Sequence, residues 1–408
     1  MNIWWVNHVA LPPTEAGVTR HYDFARELIN RGHGVTVMLS NFHYIRRREI
    51  RDLGSDSTRL ELIEGVPFLW VRTPHYGARY VARVWSWLVL AWRLWREQGL
   101  ADLDAPDVII GSSPYPFAAL AAQRLARRRG IPFVLEIRDL WPQTLIELGR
   151  VSRWHPFIAL LGWLERFLYR NADAIVSLLP HAAEYMVQKG ANPRRITWIP
   201  NGVDLDGVPA SDPPPSGDPF RVFYAGGHGL PNELDDLLDA AAILQTDDRS
   251  GRIKIHLVGD GPEKKRLMRR ADEECLDNVV FEDPVPKRQV HSMLQRADAF
   301  AVIVRSSPLY RYGVSLNKFF DYLAAGRPTA VASTIEPNPF EEAGAGELAL
   351  PGDPESLARA IIRLASLSWD ERRKMGRAGR DYVRRNHDLP ELVTRLEAVL
   401  RDLDEEPV

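Results

Sequence analysis

The chain has 408 residues, 45% hydrophobic and 26% charged, which is material for two or three packed domains. Its single cysteine, Cys275, excludes an internal disulfide framework and a thiolate metal cluster, and points to a reducing cytoplasm. The net charge of −2 conceals an asymmetry: residues 1–200 carry 25 Lys and Arg against 18 Asp and Glu, the remainder 27 against 36. A basic first half suits an anionic partner, phospholipid or phosphate-bearing substrate as well as nucleic acid, although an uneven solvated surface explains it equally. No apolar run reaches the roughly 18 residues needed to cross a bilayer.

Taken in chain order, "MNIWWVNHVALPP" opens on a buried strand over 2–7 rather than a leader. The following loop runs into a helix over 18–31, and Gly17 at the turn lets backbone amides approach a phosphate. "RGHGVTV" stops that helix and starts a strand at 34–38, with His33 structural; another strand covers 66–71. In "RYVARVWSWLVLAWRLWREQ", residues 79–98, a helical wheel puts Arg79, Arg83, Ser86, Arg93 and Glu97 on one side, interrupted by Leu90. Trp85, Trp87, Trp92 and Trp95 spread over the rest. Such a helix either lies in a bilayer interface, helped by the upstream "HYIRRREIR", or is a core helix with one wet stripe.

Strands at 107–111, 132–136, 173–177 and 196–199 then alternate with helices at 116–129, 155–170 and 181–189. "FVLEIRDLWPQTL" places Arg138, Asp139 and Trp141 just past a strand end, as functional charges or as an ion pair holding the loop. The Pro-, Asp- and Gly-rich "DLDGVPASDPPPSGDPF" breaks the alternation and reads as a linker, 204–219, between domains at 1–203 and 220–388. The second half resumes with strands at 221–225, 253–258, 279–281, 299–304 and 329–332. Strands alternating with helices imply two doubly wound α/β domains, whose ligands bind beyond the carboxyl ends of the strands, in the cleft between them.

Three stretches of the second half suit that cleft. In "FRVFYAGGHGLPNELDDLLDAA", Gly226, Gly227 and Gly229 leave backbone amides bare and His228 adds partial positive charge, so a diphosphate is the natural guest. "IHLVGDGPEKKRL" repeats the logic at Gly259 and Gly261, where simple turn chemistry serves as well. In "YGVSLNKFFDYLAAGRPTAVAST" the helix takes its apolar stripe from Phe319, Phe320 and Leu323 and its stop from Gly326 and Pro328. Ser315, Leu316, Asn317, Lys318 and Asp321 are thereby gathered at a helix N-terminus, which favours anions.

Together with "ADAIVSLLPHAAEYMVQKGANPRRITWIPNGVD", and in this order, these motifs resemble the retaining GT-B glycosyltransferases of family 4, most of all the subgroup that builds bacterial surface polysaccharides. The resemblance implies two Rossmann-like domains facing across a cleft, with the last segment, 389–408, a helix packing back on the first domain. It implies a nucleotide-sugar donor, UDP-linked, whose diphosphate meets Gly17, Gly226, Gly227, His228, Gly259 and the 315–318 turn. Asp321 holds the ribose hydroxyls, and backbone near Val285 in "FEDPVP" grips the base. Lys318 neutralises the leaving diphosphate, and Arg138 and Asp139 serve catalysis on the acceptor side. The acceptor is a carbohydrate or lipid-linked hydroxyl, at the inner face of the cytoplasmic membrane, with no metal, no other cofactor and no nucleic acid.

The chain departs from the family pattern at several points. The first acid of the family's E-x7-E pair falls on Gly313, the first loop has Ala16-Gly17 in place of two glycines, and His228, Asn232 and Glu233 stand where others carry Arg and Lys. A histidine common near Arg138 and Asp139 is missing. Two other readings share the donor site: a non-hydrolysing UDP-sugar epimerase, and a non-catalytic sugar-nucleotide-binding scaffold. A dinucleotide oxidoreductase lacks its glycine fingerprint. The "DLD" triplets at 102–104, 204–206 and 402–404 imitate an acidic metal motif without a shared context.

Overall fold

The computed structural model describes residues 1–405 apart from 16, 45, 78–79, 210–218 and 247–252, so Ala16, Arg79 and most of the expected linker lie outside the described residues. The first half runs β1 (Asn2–Val6), α1 (Arg20–Asn30), β2 (Gly34–Ser40), β3 (Phe42–His43), β4 (Arg48–Glu49), β5 (Thr58–Ile63), β6 (Val66–Val71) and α2 (Tyr80–Trp95). It continues through β7 (Val108–Ser112), α3 (Pro116–Arg129), β8 (Phe133–Ile137), α4 (Gln143–Glu147), α5 (Pro156–Asn171), β9 (Ala174–Ser177), α6 (Ala183–Gln188) and β10 (Ile196–Trp198). The second half holds β11 (Phe220–Ala225), α7 (Leu234–Thr246), β12 (Ile253–Val258), α8 (Lys264–Glu273), β13 (Val279–Glu282), α9 (Lys287–Leu294), β14 (Ala299–Ile303) and α10 (Asn317–Ala325). It closes with β15 (Thr329–Ala332), α11 (Pro339–Glu342), β16 (Gly346–Ala349), α12 (Pro354–Ser366), α13 (Trp369–Asn386) and α14 (Leu389–Glu405).

Two sheets result, in the order β10-β9-β8-β7-β1-β2-β6-β5 and β13-β12-β11-β14-β15-β16. Every neighbouring pair is parallel except β5 with β6. Strand order reverses at β1 in the first sheet and at β11 in the second, and the crevice at such a reversal is where ligands enter doubly wound sheets. The two faces of β1 show why both sides are covered. Trp4 and Val6 enter one core with α2 and α3, whereas Ile3 and Trp5 enter the other with α1. That second core also takes Leu389, Leu392, Val393, Leu396 and Leu400, so α14 packs against the first sheet's layer. Glu397 fixes it there, accepting from Arg31 at 2.6 Å and facing His33 Nε2 at 2.9 Å.

The antiparallel edge strand β5 is absent from the strands expected above. Its "TRLELI" pattern leaves Leu60 and Leu62 exposed, which hides the strand from a search for buried apolar runs. The wheel reading of α2 is inverted in the structure. Ser86, Trp87, Leu90 and Leu94 are buried, and Arg83 reaches inward to donate to the Tyr115 hydroxyl at 2.6 Å. The stripe assigned to water therefore faces protein, while Val81, Trp85, Leu88, Trp92 and Trp95 are exposed.

A buried charge network ties α1 to the far edge of the first sheet. Arg20 donates to Glu136 Oε1 at 2.8 Å and to the carbonyls of Pro200 and Ile199 at 2.6 and 3.1 Å. Glu136 accepts from Ser112 Oγ at 2.7 Å. Burial alone would raise the Glu136 carboxyl, but Arg20 and then His21 override it and hold it well below the carboxylate range. Arg20→Ala leaves that charge unpaired, so urea denaturation is expected to show a loss of about 3–5 kcal/mol, whereas Arg26→Ala, on a half-exposed pair with Asp204, is expected to cost under about 1 kcal/mol.

Candidate functional site in the interdomain cleft

A cavity of about 330 Å³ opens between the two sheets. Its walls bring together Gly17 with Gly226, Gly227, Gly259, Val285, Leu316, Asn317, Lys318 and Asp321. α10 begins at this cavity. Its N-cap position is Leu316, which offers no capping side chain, and no acid occupies its first turn. The first-turn amides of α10 therefore keep their positive end toward the cavity. Gly326, at φ 71°, ends the helix in the left-handed conformation.

Lys318 is the central side chain. Its Nζ donates to Asn232 Oδ1 at 2.6 Å and lies 4.8 Å from the Tyr224 ring centre, and no carboxylate pairs with it among the described residues. Burial pushes its pKa down to about 7. The site thus presents a lysine that no acid of the described residues neutralises.

The glycine loop after β11 works differently from the expectation. Of the three glycines, Gly226 commits its N–H to the Val258 carbonyl at 3.0 Å. No hydrogen bond is formed by the N–H of Gly227 or Gly229 among the described residues, and of these two only Gly227 lines the cavity. The His228 N–H goes to the Asp260 carbonyl at 2.9 Å. Gly259 is required by contact, since a Cβ there would run into the Gly226 carbonyl. His228 supplies no positive charge. Its ring is buried, and burial ahead of the Lys264 charge lowers its pKa to about 4, so it is neutral at pH 7. Its side chain is also outside the cavity wall.

Asp321 is already gripped. Lys287 Nζ meets its two oxygens at 2.8 and 3.0 Å, and His291 Nε2 stands 3.6 Å away. Burial works against the Lys287 cation, yet Asp321 and then Asp23 outweigh it and hold its pKa above the ordinary value. Asp23 comes from α1, so this acid–lysine–acid cluster spans the two domains. Sequence reasoning missed Lys287. The available signal was a cation opening the helix directly after "FEDPVP".

Ser315 lies elsewhere than expected. Its hydroxyl accepts from the Asn201 N–H at 2.8 Å and its carbonyl from Asn201 Nδ2 at 2.5 Å, which fastens the start of α10 to the segment Arg20 also holds. Gly313 has φ 80°, and a Cβ there would stand 2.5 Å from Pro180 of the first domain. The place of the family's first acid is thus closed by a domain contact, reinforced by the His181 N–H on the Tyr312 carbonyl at 3.1 Å. Arg138 and Asp139 follow β8 and hang their amides on Ser113 Oγ at 2.7 and 3.3 Å. They sit beside the donor cavity rather than in its wall; both bear on Tyr44, which does line it. Asp139 is exposed by surface area, yet the protein packed around its carboxyl keeps water from it and pushes its pKa up to about 6. Among the described residues no group of three or more His, Cys, Asp or Glu is placed to hold a metal ion.

The comparisons with known proteins agree with this geometry. The family profile "Glycosyl transferase 4-like domain" matches residues 16–202, and "Glycosyl transferases group 1" matches residues 219–366. The probable glycosyltransferase WbjE of Pseudomonas aeruginosa is 22% identical over 310 residues, 73% of this chain and 75% of WbjE. Among solved structures, sucrose-phosphate synthase from Thermosynechococcus elongatus superposes with a TM-score of 0.76 at 17% identity, covering 99% of this chain and 100% of its own. Anabaena Alr3699/HepE, in complex with UDP and glucose, gives a TM-score of 0.67 at 15% identity over 98% of this chain and 99% of its own. The fold and these matches define a GT-B glycosyltransferase. The chain belongs to the family 4-like group of these enzymes.

Two outcomes follow from the site. Lys318 must be protonated to pair with phosphate oxygens, so above pH 7 binding takes up a proton. UDP affinity is therefore expected to fall between pH 7 and pH 9, by up to about tenfold per pH unit, and calorimetry in buffers of different ionisation enthalpy reads the uptake. Lys318→Met is expected to flatten that slope. Gly313→Glu, although it writes the family's acid back, is expected to lower both transfer and stability, the latter by about 1–3 kcal/mol in urea denaturation, because the seat is filled by Pro180.

Proposed function

We propose that the protein moves a sugar from a UDP-sugar to a hydroxyl of a lipid-linked acceptor, with retention of anomeric configuration, in surface polysaccharide or glycolipid synthesis at the inner face of the cytoplasmic membrane. The observation that carries the donor half is Lys318, a half-buried lysine without an acid partner, set at the open N-terminus of α10. A diphosphate supplies what that arrangement lacks. UDP is favoured because HepE, alike in fold over nearly the whole chain, is described in complex with UDP and glucose.

In this reading the diphosphate lies between α10 and the Gly226–Gly227 turn, with the Gly17 loop closing from the first domain. The ribose hydroxyls bond to Asp321, and backbone near Val285 receives the base. The acceptor oxygen attacks the anomeric carbon as the bond to the diphosphate breaks through an oxocarbenium-like transition state. Lys318 and the α10 amides stabilise the charge that collects on the leaving UDP. Arg138 and Asp139 orient the acceptor, and a carboxyl near 6 is ionised at neutral pH and able to accept the hydrogen bond of the attacking hydroxyl. The charge on the leaving group is met by protein groups, so the reaction calls for no metal.

Membrane contact is supported by exposed tryptophans at Trp85, Trp92 and Trp95 of α2 and at Trp154 and Trp163 around α5. No described helix is long and apolar enough to cross a membrane. The test is calorimetric titration of UDP and GDP into the protein and into Asp321→Ala. UDP is expected to bind more tightly than GDP, to lose roughly 30–100-fold in affinity in the variant, and to bind equally in EDTA. NMR of the product is expected to show the donor's anomeric configuration. Absence of nucleoside diphosphate binding to the folded protein would refute the proposal.

A further inference from the structure

A trough on the first domain is larger than the donor cleft. It encloses about 1270 Å³ between α2, α3 and the loop after β6. Trp85, Leu88, Trp92, Phe117 and Leu120 make it apolar, and Arg72, Arg93 and Arg124 add charge. The inversion of α2 creates it. The helix buries Ser86 and turns Arg83 inward while Trp85, Trp92 and Trp95 stand outward, an arrangement that water alone does not favour.

The arginines are the second observation. Arg72 and Arg93 are close enough for Arg72 to lower the Arg93 pKa, after burial, and the Nε of each is buried without a partner. Their bonds go to the carbonyls of Gly54 and Ser57, and no carboxylate pairs with either among the described residues. Glu49, the acid in the lining, is occupied by His75 at 2.6 Å. Two half-buried guanidiniums at the edge of an apolar trough call for a doubly contacted anion attached to a hydrocarbon.

The wall of the trough is continuous, by aromatic packing, with the loop that carries Asp139. Phe117, in its wall, stacks on Trp87 with ring centres 6.5 Å apart. Trp87 in turn meets Trp141 edge-on at 5.6 Å, and Trp141 is two residues beyond Asp139. We propose that the trough between α2 and α3 binds one phosphate-bearing lipid chain, the lipid of the acceptor. Arg72 and Arg93 hold the phosphate, and the Trp, Leu and Phe side chains hold the chain. This rests on the reading of the acceptor as lipid-linked. A flat bilayer touches projecting tryptophans, whereas a concave slot with paired cations takes a single chain drawn out of it.

The probe is farnesyl phosphate, titrated into the full chain below its micelle-forming concentration and followed by tryptophan fluorescence, with farnesol, inorganic phosphate and phosphatidylglycerol vesicles alongside. Saturable binding of farnesyl phosphate is expected, at least about tenfold tighter than farnesol. Arg72→Gln with Arg93→Gln is expected to bring the two ligands level, and Leu88→Asp to weaken both. UDP affinity unchanged in the variants shows that they are folded. Equal binding of farnesol and farnesyl phosphate, indifference to the arginine variant, or binding to vesicles alone would each overturn the proposal. UDP binding without farnesyl phosphate binding defeats the trough and leaves the donor reading standing; the converse result defeats the donor reading and leaves the trough.

Discussion

A half-buried lysine without an acid partner is the constraint on which the rest of the cleft depends. Taking an unpaired charge out of water costs several kcal/mol, and the fold meets that cost by letting Lys318 lose its proton near pH 7 and by offering it only Asn232 and the Tyr224 ring. The protein compensates two other charges of the first-domain core and the cleft within itself: Arg20 has Glu136, and Asp321 has Lys287. At Lys318 it does not, and α10 adds its uncapped N-terminus at the same point. An anion would complete such a site, and the nucleoside-diphosphate leaving group proposed above is one.

The domain junction is built around the same helix. Residues 199–201 receive Arg20 from the first domain and, through Asn201, hold Ser315 just ahead of α10. His387, at the end of α13, faces the Asn201 carbonyl at 3.1 Å, and α14 then returns to the first sheet's layer. Movement of one domain against the other therefore acts on the start of α10, where the leaving group would sit. Gly313 belongs to this junction, because the absence of a side chain there is what lets Pro180 approach.

The fold was legible because parallel strands buried on both faces write themselves as apolar runs, and each of the longer runs alternates with a helical pattern. The 312–334 stretch was legible for a related reason: polar residues crowded ahead of an apolar stripe have no packing purpose. What escaped depended on partners distant in sequence. β5 is an edge strand whose alternation is blurred by exposed leucines. Lys287 reaches Asp321 across 34 residues, and Ser315 meets Asn201 across 114, so neither contact leaves a local signature. His228 was misread because its position in a glycine loop suggests exposure, whereas its ring turns into the core. α2 was misread because a wheel ranks faces by polarity, and here Arg83 and Ser86 find their place against protein beside Trp87 while Trp85, Trp92 and Trp95 face outward.

The most direct measurement is a crystal structure of the protein grown with UDP. The β-phosphate is expected within hydrogen-bond distance of Lys318 Nζ and of the first α10 amides, with Lys318 drawn away from Asn232. A diphosphate bound elsewhere in the cleft, with Lys318 still on Asn232 and α10 uncapped, would contradict it.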